Sequence, residues 1–120
     1  PTMSAPRFRN VTIPIRKRNG SEPEEVVAMQ LPGSPWAVVN THHSMHTVYH
    51  APTGLAVQGN LLLKQARHLA VTLQDQHPDL PALAALPFGT APTTETPEAR
   101  EEALGLRKTI DAWFRENPAI

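Results

Sequence analysis

The sequence predicts an α+β domain in which an antiparallel sheet of four to five strands is covered by one helix and followed by a C-terminal helix. Two observations support this fold class. Residues 11–57 contain short β-branched or alternating segments separated by turn residues, which is typical of strands joined by tight connections. Residues 60–73 and 96–117 instead repeat their apolar side chains at helical spacing, so each carries one core-facing stripe. A helix packed on the apolar face of a sheet gives two layers.

The chain is predicted to form one domain, because its 120 residues suffice for one modest hydrophobic core. We expect residues 1–87 to form the sheet and its helix, and residues 88–95 to form a linker. Residues 96–117 form the C-terminal helix, which packs on the same domain or on a second subunit. Thirteen prolines divide the chain into short elements.

The first strand is predicted at residues 11–16, where apolar side chains alternate with other residues. Pro14 cannot donate a ladder hydrogen bond, so this strand is expected at a sheet edge. The dipeptide Asn19-Gly20 favours a tight hairpin, and a longer or bulged loop is an equal alternative. The partner strand is predicted at residues 24–31.

Two further hairpins are predicted in the following part of the chain. Residues 36–41 and 46–50 are rich in β-branched and aromatic residues, with a polar connection between them. Residues 51–54 place proline and glycine where a type I turn prefers them. Residues 55–57 then return as the last strand.

The helix that covers the sheet is predicted to begin with Asn60 as its N-cap and to end before Pro78. A short helical turn is expected at residues 80–86. In the C-terminal helix, Thr96 is the predicted N-cap and Pro97 occupies the first helical position, where proline is favoured.

The formal charges cancel over the whole chain but are unevenly distributed. A net charge of zero argues against a generic binder of polyanions. Residues 1–20 nevertheless contain five cations and no acid, and residues 26–74 contain no acid at all. Residues 75–120 contain eight acids and four bases. One half of the chain is therefore positive and the other half negative.

The uneven charge suggests a nucleic-acid interface in which basic side chains on an edge hairpin neutralise phosphates. The candidate nucleic-acid-binding residues are Arg7, Arg9, Arg16, Lys17, Arg18, Lys64 and Arg67. The alternative is structural, because lysine and arginine on an edge strand also discourage aggregation between sheets. Trp36 and Tyr49 are candidates either for stacking on bases or for the core.

The apolar stripe of the C-terminal helix suggests a second kind of interface. Its candidate interaction residues are Leu106, Ile110, Trp113 and Phe114. A terminal helix that follows a linker can bind a protein partner or exchange between the subunits of a homodimer. The alternative is that these side chains complete the core of the monomer.

Four histidines fall within nine residues, at His42, His43, His46 and His50. They could form a polar loop with surface imidazoles, a metal site, or a pH-sensitive surface. Zinc requires three or four converging ligands, and the sequence contains neither cysteine nor a nearby carboxylate. We therefore assign no metal ligand and no cofactor, and expect surface imidazoles.

No catalytic motif is present: the serines lack a nucleophile-elbow context, and no glycine-rich phosphate loop occurs. No apolar run approaches a membrane span, and the absence of cysteine fits the cytoplasm. The sequence favours a small non-enzymatic module that binds DNA or RNA through a basic hairpin. The alternative is a protein-interaction or regulatory module that dimerises or binds a partner through the C-terminal helix. A His-rich metal-binding protein is the third alternative.

Overall fold

The structure, a computed structural model, describes residues 7–16, 23–86 and 96–117 and confirms the predicted α+β class. Five strands precede three helices along the chain. The strands are β1 Arg9–Arg16, β2 Pro23–Gln30, β3 Trp36–His42, β4 Met45–His50 and β5 Leu55–Leu62. The helices are α1 Leu63–Gln76, α2 Pro81–Ala84 and α3 Pro97–Glu116. The predicted linker at residues 88–95 and the predicted turn at Asn19-Gly20 lie outside the described residues.

The five strands form one antiparallel sheet in the order β1-β2-β3-β4-β5, so each strand pairs with its neighbours in sequence. Of these strands, β1 and β5 lie at the edges. Pro14 is part of β1, which confirms the predicted edge position. An edge strand tolerates proline because one of its sides has no partner strand to receive a hydrogen bond.

The main core lies between one face of the sheet and the helices. Side chains from β3, β4 and β5 contact the apolar stripe of α1 and the buried side of α3. This core contains Trp36, Val38, Val48, Leu61, Ala66, Leu69, Ala70, Leu73, Leu80, Leu83, Ala99, Leu106, Ile110 and Trp113. The C-terminal helix therefore packs on the sheet-and-helix part of its own chain.

A second core lies on the opposite face of the sheet, where the sequence predicted only one apolar face. It contains Ile13, Ile15, Ala28, Ala37, Val39 and Tyr49. The pairing of β2 with β3 covers only two residue pairs, so most of the β1–β2 hairpin is free to leave the plane of the other strands. The alternating side chains of β1 are thus buried away from α1, which corrects the expectation that α1 covers them.

The second core indicates that the hairpin bends over this face, because Ile15 at its far end belongs to the same buried cluster as Tyr49 of β4. Burial raises the pKa of Tyr49, and the negative charge of Glu24 raises it further. Gln30 pairs with Ala37, which in turn pairs with Tyr49. In a flat sheet Glu24 would lie six residues, or about 20 Å, from that row. Bending of the hairpin brings its far end back towards β4 and buries the second core.

The start of α1 differs from the prediction because β5 is longer than expected. Asn60, predicted as the N-cap, lies within β5 and has a positive φ of 57°. The ladder continues to Leu62, which pairs with Met45 and is the N-cap of α1. Gln65 Oε1 accepts the Leu62 N–H over 2.9 Å. Strand pairing therefore outweighed the local capping preference of asparagine.

The end of the chain agrees more closely with the sequence pattern. Thr96 is the N-cap of α3, and its side chain accepts the Ala99 N–H over 3.1 Å. The expected helical turn after α1 is the four-residue helix α2, which begins at Pro81. Among the helices in the described ranges, none combines the length and apolar character that crossing a membrane requires.

Candidate functional site

A contact between Phe8 and α1 places the start of β1 beside the cations of the helix. Phe8 immediately precedes β1, and its half-buried ring lies under the guanidinium of Arg67, with 5.7 Å between Cζ and the ring centroid. This distance is within the range of a cation–π interaction. Arg67 Nη2 also lies 3.3 Å from Met29 Sδ on β2. The side chain of Arg67 is therefore directed towards the β1–β2 hairpin.

Four of the seven predicted nucleic-acid-binding residues lie around this contact. Arg7 and Arg9 adjoin Phe8 in the chain, so their Cα atoms are each about 3.8 Å from that of Phe8. Arg9 pairs with Gln30, so its side chain starts from the other face of this edge strand, opposite the face that Asn10 and Met29 share. Lys64 and Arg67 are three residues apart on α1, with about 5–6 Å between their Cβ atoms. All four cationic side chains are exposed. We call Arg7, Arg9, Lys64 and Arg67 the basic patch.

The structure does not bring the remaining three predicted residues into the basic patch. Arg16 ends β1, seven residues from Arg9, which separates their Cα atoms by about 24 Å along the strand. Lys17 and Arg18 lie outside the described residues. Arg16 and the basic patch therefore do not form the continuous basic surface that the sequence predicts.

The carboxylates of α3 lie across α1 from the basic patch. Arg67 extends towards Met29, whereas the next residue, His68, accepts a hydrogen bond from Trp113 of α3 over 2.8 Å. Two adjacent residues of α1, about 100° apart around its axis, thus point towards the β1–β2 hairpin and towards α3 respectively. Within the described ranges, no carboxylate forms a salt bridge with any member of the patch. The acids of α3 are Glu98, Glu101, Glu102, Asp111 and Glu116.

Beside the basic patch, the β1–β2 hairpin has one face that the helices leave uncovered. Antiparallel pairing places Asn10 opposite Met29 and Thr12 opposite Val27 on this face. Asn10 and Thr12 are exposed, Met29 is half-buried, and Val27 has 67% of its surface accessible to solvent. We call these four residues, with Phe8 at their end, the open face. Glu25, also exposed, lies on the same side two residues beyond Val27.

Sequence reasoning missed the open face as a site. The sequence places Val27 and Met29 two residues apart in the predicted second strand, but it does not indicate which side of the sheet they occupy. Phe8 precedes the predicted start of the first strand, so no sequence pattern indicates a function for it. Its importance depends on the contact with Arg67, which is 59 positions away in the chain.

Trp36 and Tyr49 are not available for stacking on bases. Trp36 is fully buried in the main core, and its indole N–H donates to the His77 carbonyl oxygen over 3.0 Å. Tyr49 belongs to the second core, with 9% of its surface exposed. The core alternative for these two aromatic residues is therefore correct.

The candidate interaction residues of the C-terminal helix lie inside the domain. Leu106, Ile110 and Trp113 are buried in the main core. Phe114 is half-buried, and its ring centroid lies 5.0 Å from that of Trp113 in an edge-to-face arrangement. In this chain their apolar surface therefore contacts the domain's own sheet and helices.

The four clustered histidines divide into two pairs with different environments. His42 and His43 are exposed, with ring centroids 4.1 Å apart. His46 and His50 are buried, which corrects the expectation of surface imidazoles for this pair. Even-numbered residues of β4 face the helices, because Val48 between them belongs to the main core. The described residues contain no group of three histidines or acids that could hold a metal ion.

The imidazole of His50 is buried beside Thr53 and Trp36. Its Nδ1 lies 2.9 Å from Thr53 Oγ1, and its ring centroid is 5.0 Å from that of Trp36. Burial lowers its pKa from 6.5 to about 4, and the negative charge of Glu102 partly offsets this effect. His50 is therefore a neutral core residue at physiological pH.

A groove of about 630 Å³ separates α1 from α3. Val71, Ala112 and Trp113 contribute apolar surface, and charged groups of both signs line it as well, including Asp75 and Lys108. Its volume falls within the range of small-molecule sites, but such sites are mostly apolar with few polar groups. The mixed lining therefore defines no ligand class.

Comparison of the chain with protein-family models, with curated proteins and with solved structures finds no match. The geometry of the basic patch and the open face is therefore the basis for the functional proposal.

Proposed function

We propose that this domain is a non-enzymatic module that binds nucleic acid through the basic patch. Lysine and arginine side chains that contact phosphates release condensed counterions, and this release provides affinity without sequence readout. Four exposed cations near one another suit a short segment of phosphate backbone. The patch uses Arg7, Arg9, Lys64 and Arg67 rather than the hairpin tip.

The contact between Phe8 and Arg67 is the single observation that carries this proposal. Without it, the arginines at the start of β1 and the cations of α1 would belong to elements more than fifty residues apart in sequence. With the Phe8 ring 5.7 Å from Arg67 Cζ, the backbone of Arg7 and Arg9 lies beside α1 at the end of the edge strand β1. Neighbouring cations on a fixed scaffold bind a polyanion together.

The separation of charge within the domain explains how a chain of zero net charge can bind a polyanion. Charges on the surface act over about 8 Å at physiological ionic strength. A phosphate at the basic patch therefore responds mainly to the nearby cations. The acids of α3 lie beyond α1, as the different directions of Arg67 and His68 indicate.

Fluorescence anisotropy with a labelled oligonucleotide, at low and at physiological salt, tests the proposal. Lys64→Gln combined with Arg67→Gln should weaken binding about tenfold or more, because two phosphate contacts are lost. The matched control is Lys108→Gln combined with Arg115→Gln, which removes the same charge from exposed positions of α3. Thermal melting of both variants verifies their folding.

Two results would overturn the proposal. One is the absence of binding by the unaltered protein at low salt. The other is an equal loss of affinity in the α1 and α3 double variants, since this would show that only total charge matters.

A further inference from the structure

We infer that the nucleic acid bound by this domain is single-stranded and that an unpaired base stacks on the open face beside Phe8. This inference rests on the proposed function and specifies its substrate class. It joins two adjacent surfaces: the basic patch, which suits phosphates, and the open face, which offers apolar surface.

The open face presents apolar surface that a double helix cannot cover. Val27 is 67% exposed at its centre, with Phe8 and Met29 half-buried at one end. The flat faces of bases in a duplex are already covered by their neighbours in the stack. An unpaired base, by contrast, can place its ring against apolar or aromatic side chains on a sheet.

Arg67 contributes to both surfaces. Its guanidinium lies over the ring of Phe8, and such planes stack on bases as well as binding phosphates. Because α1 packs on β3, β4 and β5, it leaves the β1–β2 hairpin uncovered, and Arg67 lies at the boundary between α1 and the open face. A flexible strand can follow this boundary, whereas readout of a duplex uses an element that protrudes into a groove.

The polar residues of the face suit the other parts of a nucleotide. Asn10 and Thr12 are exposed beside the apolar side chains, and both can form hydrogen bonds with base edges or sugars. Glu25 lies on the same side beyond Val27, and its carboxylate repels phosphate. We therefore expect the nucleic-acid strand to run from the basic patch across Phe8 and Val27 and to leave the open face before Glu25.

A binding series with matched probes tests this inference. The probes are a labelled single strand, the same strand annealed to its complement, inorganic polyphosphate and polyglutamate. We expect the single strand to bind at least about tenfold more tightly than the duplex. Val27→Thr should weaken single-strand binding about fourfold, because a hydroxyl replaces one methyl group of the apolar contact, with little effect on the duplex. Leu104→Thr, which changes a 58% exposed residue of α3, is the control.

A fluorescent base analogue placed along the strand reports the stacking directly. Its emission should change on binding as the base leaves its neighbours in the strand, and Phe8→Leu should reduce this change. Phe8 packs partly against the main core, so Val27→Thr provides a second test if the Phe8 variant does not fold.

The outcomes separate this inference from the proposed function. Equal affinity for strand and duplex, with Val27→Thr unchanged, overturns the single-strand inference and leaves nucleic-acid binding intact. Binding to neither nucleic acid at low salt overturns both. Tighter binding to polyglutamate than to the single strand also overturns both and identifies an acidic peptide as the partner. Binding to polyphosphate as tight as binding to the single strand would show that the bases contribute no affinity, which overturns the single-strand inference.

Discussion

The indole N–H of Trp113 donates a hydrogen bond to Nδ1 of His68 over 2.8 Å, joining α3 to α1. An indole N–H can only donate, so Nδ1 must be the acceptor and the neutral imidazole carries its proton on Nε2. The two ring centroids lie 5.8 Å apart. This bond also orients α1, because it directs His68 to the α3 flank while Arg67 is directed to the hairpin.

The Trp113–His68 bond should contribute measurably to stability. In a double-mutant cycle of Trp113→Phe and His68→Ala, followed by urea unfolding, we expect a coupling free energy of about 1 kcal/mol. His68→Asn can supply an acceptor oxygen near the position of Nδ1 and should recover part of the loss. Strictly additive effects of the two substitutions would show that the bond contributes nothing.

His50 should make the domain sensitive to acid. Its pKa in the folded protein is about 4, below the 6.5 of an exposed imidazole, so the unfolded chain binds a proton more readily between these values. The stability that the folded protein gains from neutral His50 is therefore fully present above about pH 6.5 and is lost progressively as the pH falls towards 4. The difference corresponds to a loss of about 3 kcal/mol in the free energy of unfolding.

Chemical denaturation between pH 7.5 and 4.5 measures this effect. His50→Asn should be less stable near neutral pH but should show a flatter dependence on pH, because the titrating group is gone. His42→Asn removes an exposed imidazole and should retain the pH dependence of the unaltered protein. A His50→Asn curve parallel to that of the unaltered protein would contradict the assignment.

Glu102 of α3 should stabilise the start of α2. Its two carboxylate oxygens accept the N–H groups of Ala82 and Leu83 over 3.1 and 2.8 Å. These are orphan donors in the first turn of a helix, where a negative charge is also favoured by the helix dipole. Glu102→Ala should lower the free energy of unfolding by about 1–3 kcal/mol.

The neighbouring Glu101 offers a matched comparison for this prediction. It is exposed, so Glu101→Ala should change stability by less than about 0.5 kcal/mol. Glu102→Gln keeps one acceptor oxygen and should fall between the other two variants. Equal melting temperatures for the two alanine variants would rule out the capping role.

The salt dependence of binding should count the phosphate contacts made by the basic patch. For a single strand, each neutralised phosphate contributes about 0.7 to the slope of log affinity against log salt concentration. Four contacts therefore predict a slope of about −3, and Arg7→Gln combined with Arg9→Gln should reduce its magnitude by about 1.4. An unchanged slope in this variant would exclude both arginines from phosphate contact.

Local patterns along the chain predicted most of the elements. Alternation identified β1, the Asn19-Gly20 turn signal placed β2 as its partner, the cap at Thr96 identified the start of α3, and Pro14 indicated an edge strand. These features depend on neighbouring residues, so the sequence contains them directly. The start of α1 was misplaced at Asn60 because pairing of β5 with β4 lies outside such local patterns.

Local sequence patterns predicted only part of the candidate site. The positive charge of Arg7, Arg9, Lys64 and Arg67 could be read from composition, but not their association around Phe8. Arg16 does not belong to the basic patch, contrary to the prediction, because it lies at the other end of an eight-residue strand from Arg9.

The sequence by itself determined the order of strands and helices, the edge position of β1 and the separation of positive and negative charge along the chain. Only the tertiary structure decided which face of the sheet each side chain occupies. The bend of the β1–β2 hairpin, the burial of His50 and the contact of Phe8 with Arg67 all depend on residues far apart in the chain. Their positions follow from how the sheet curves and which strands α1 covers, because burial is shared among whole elements and no local pattern specifies it.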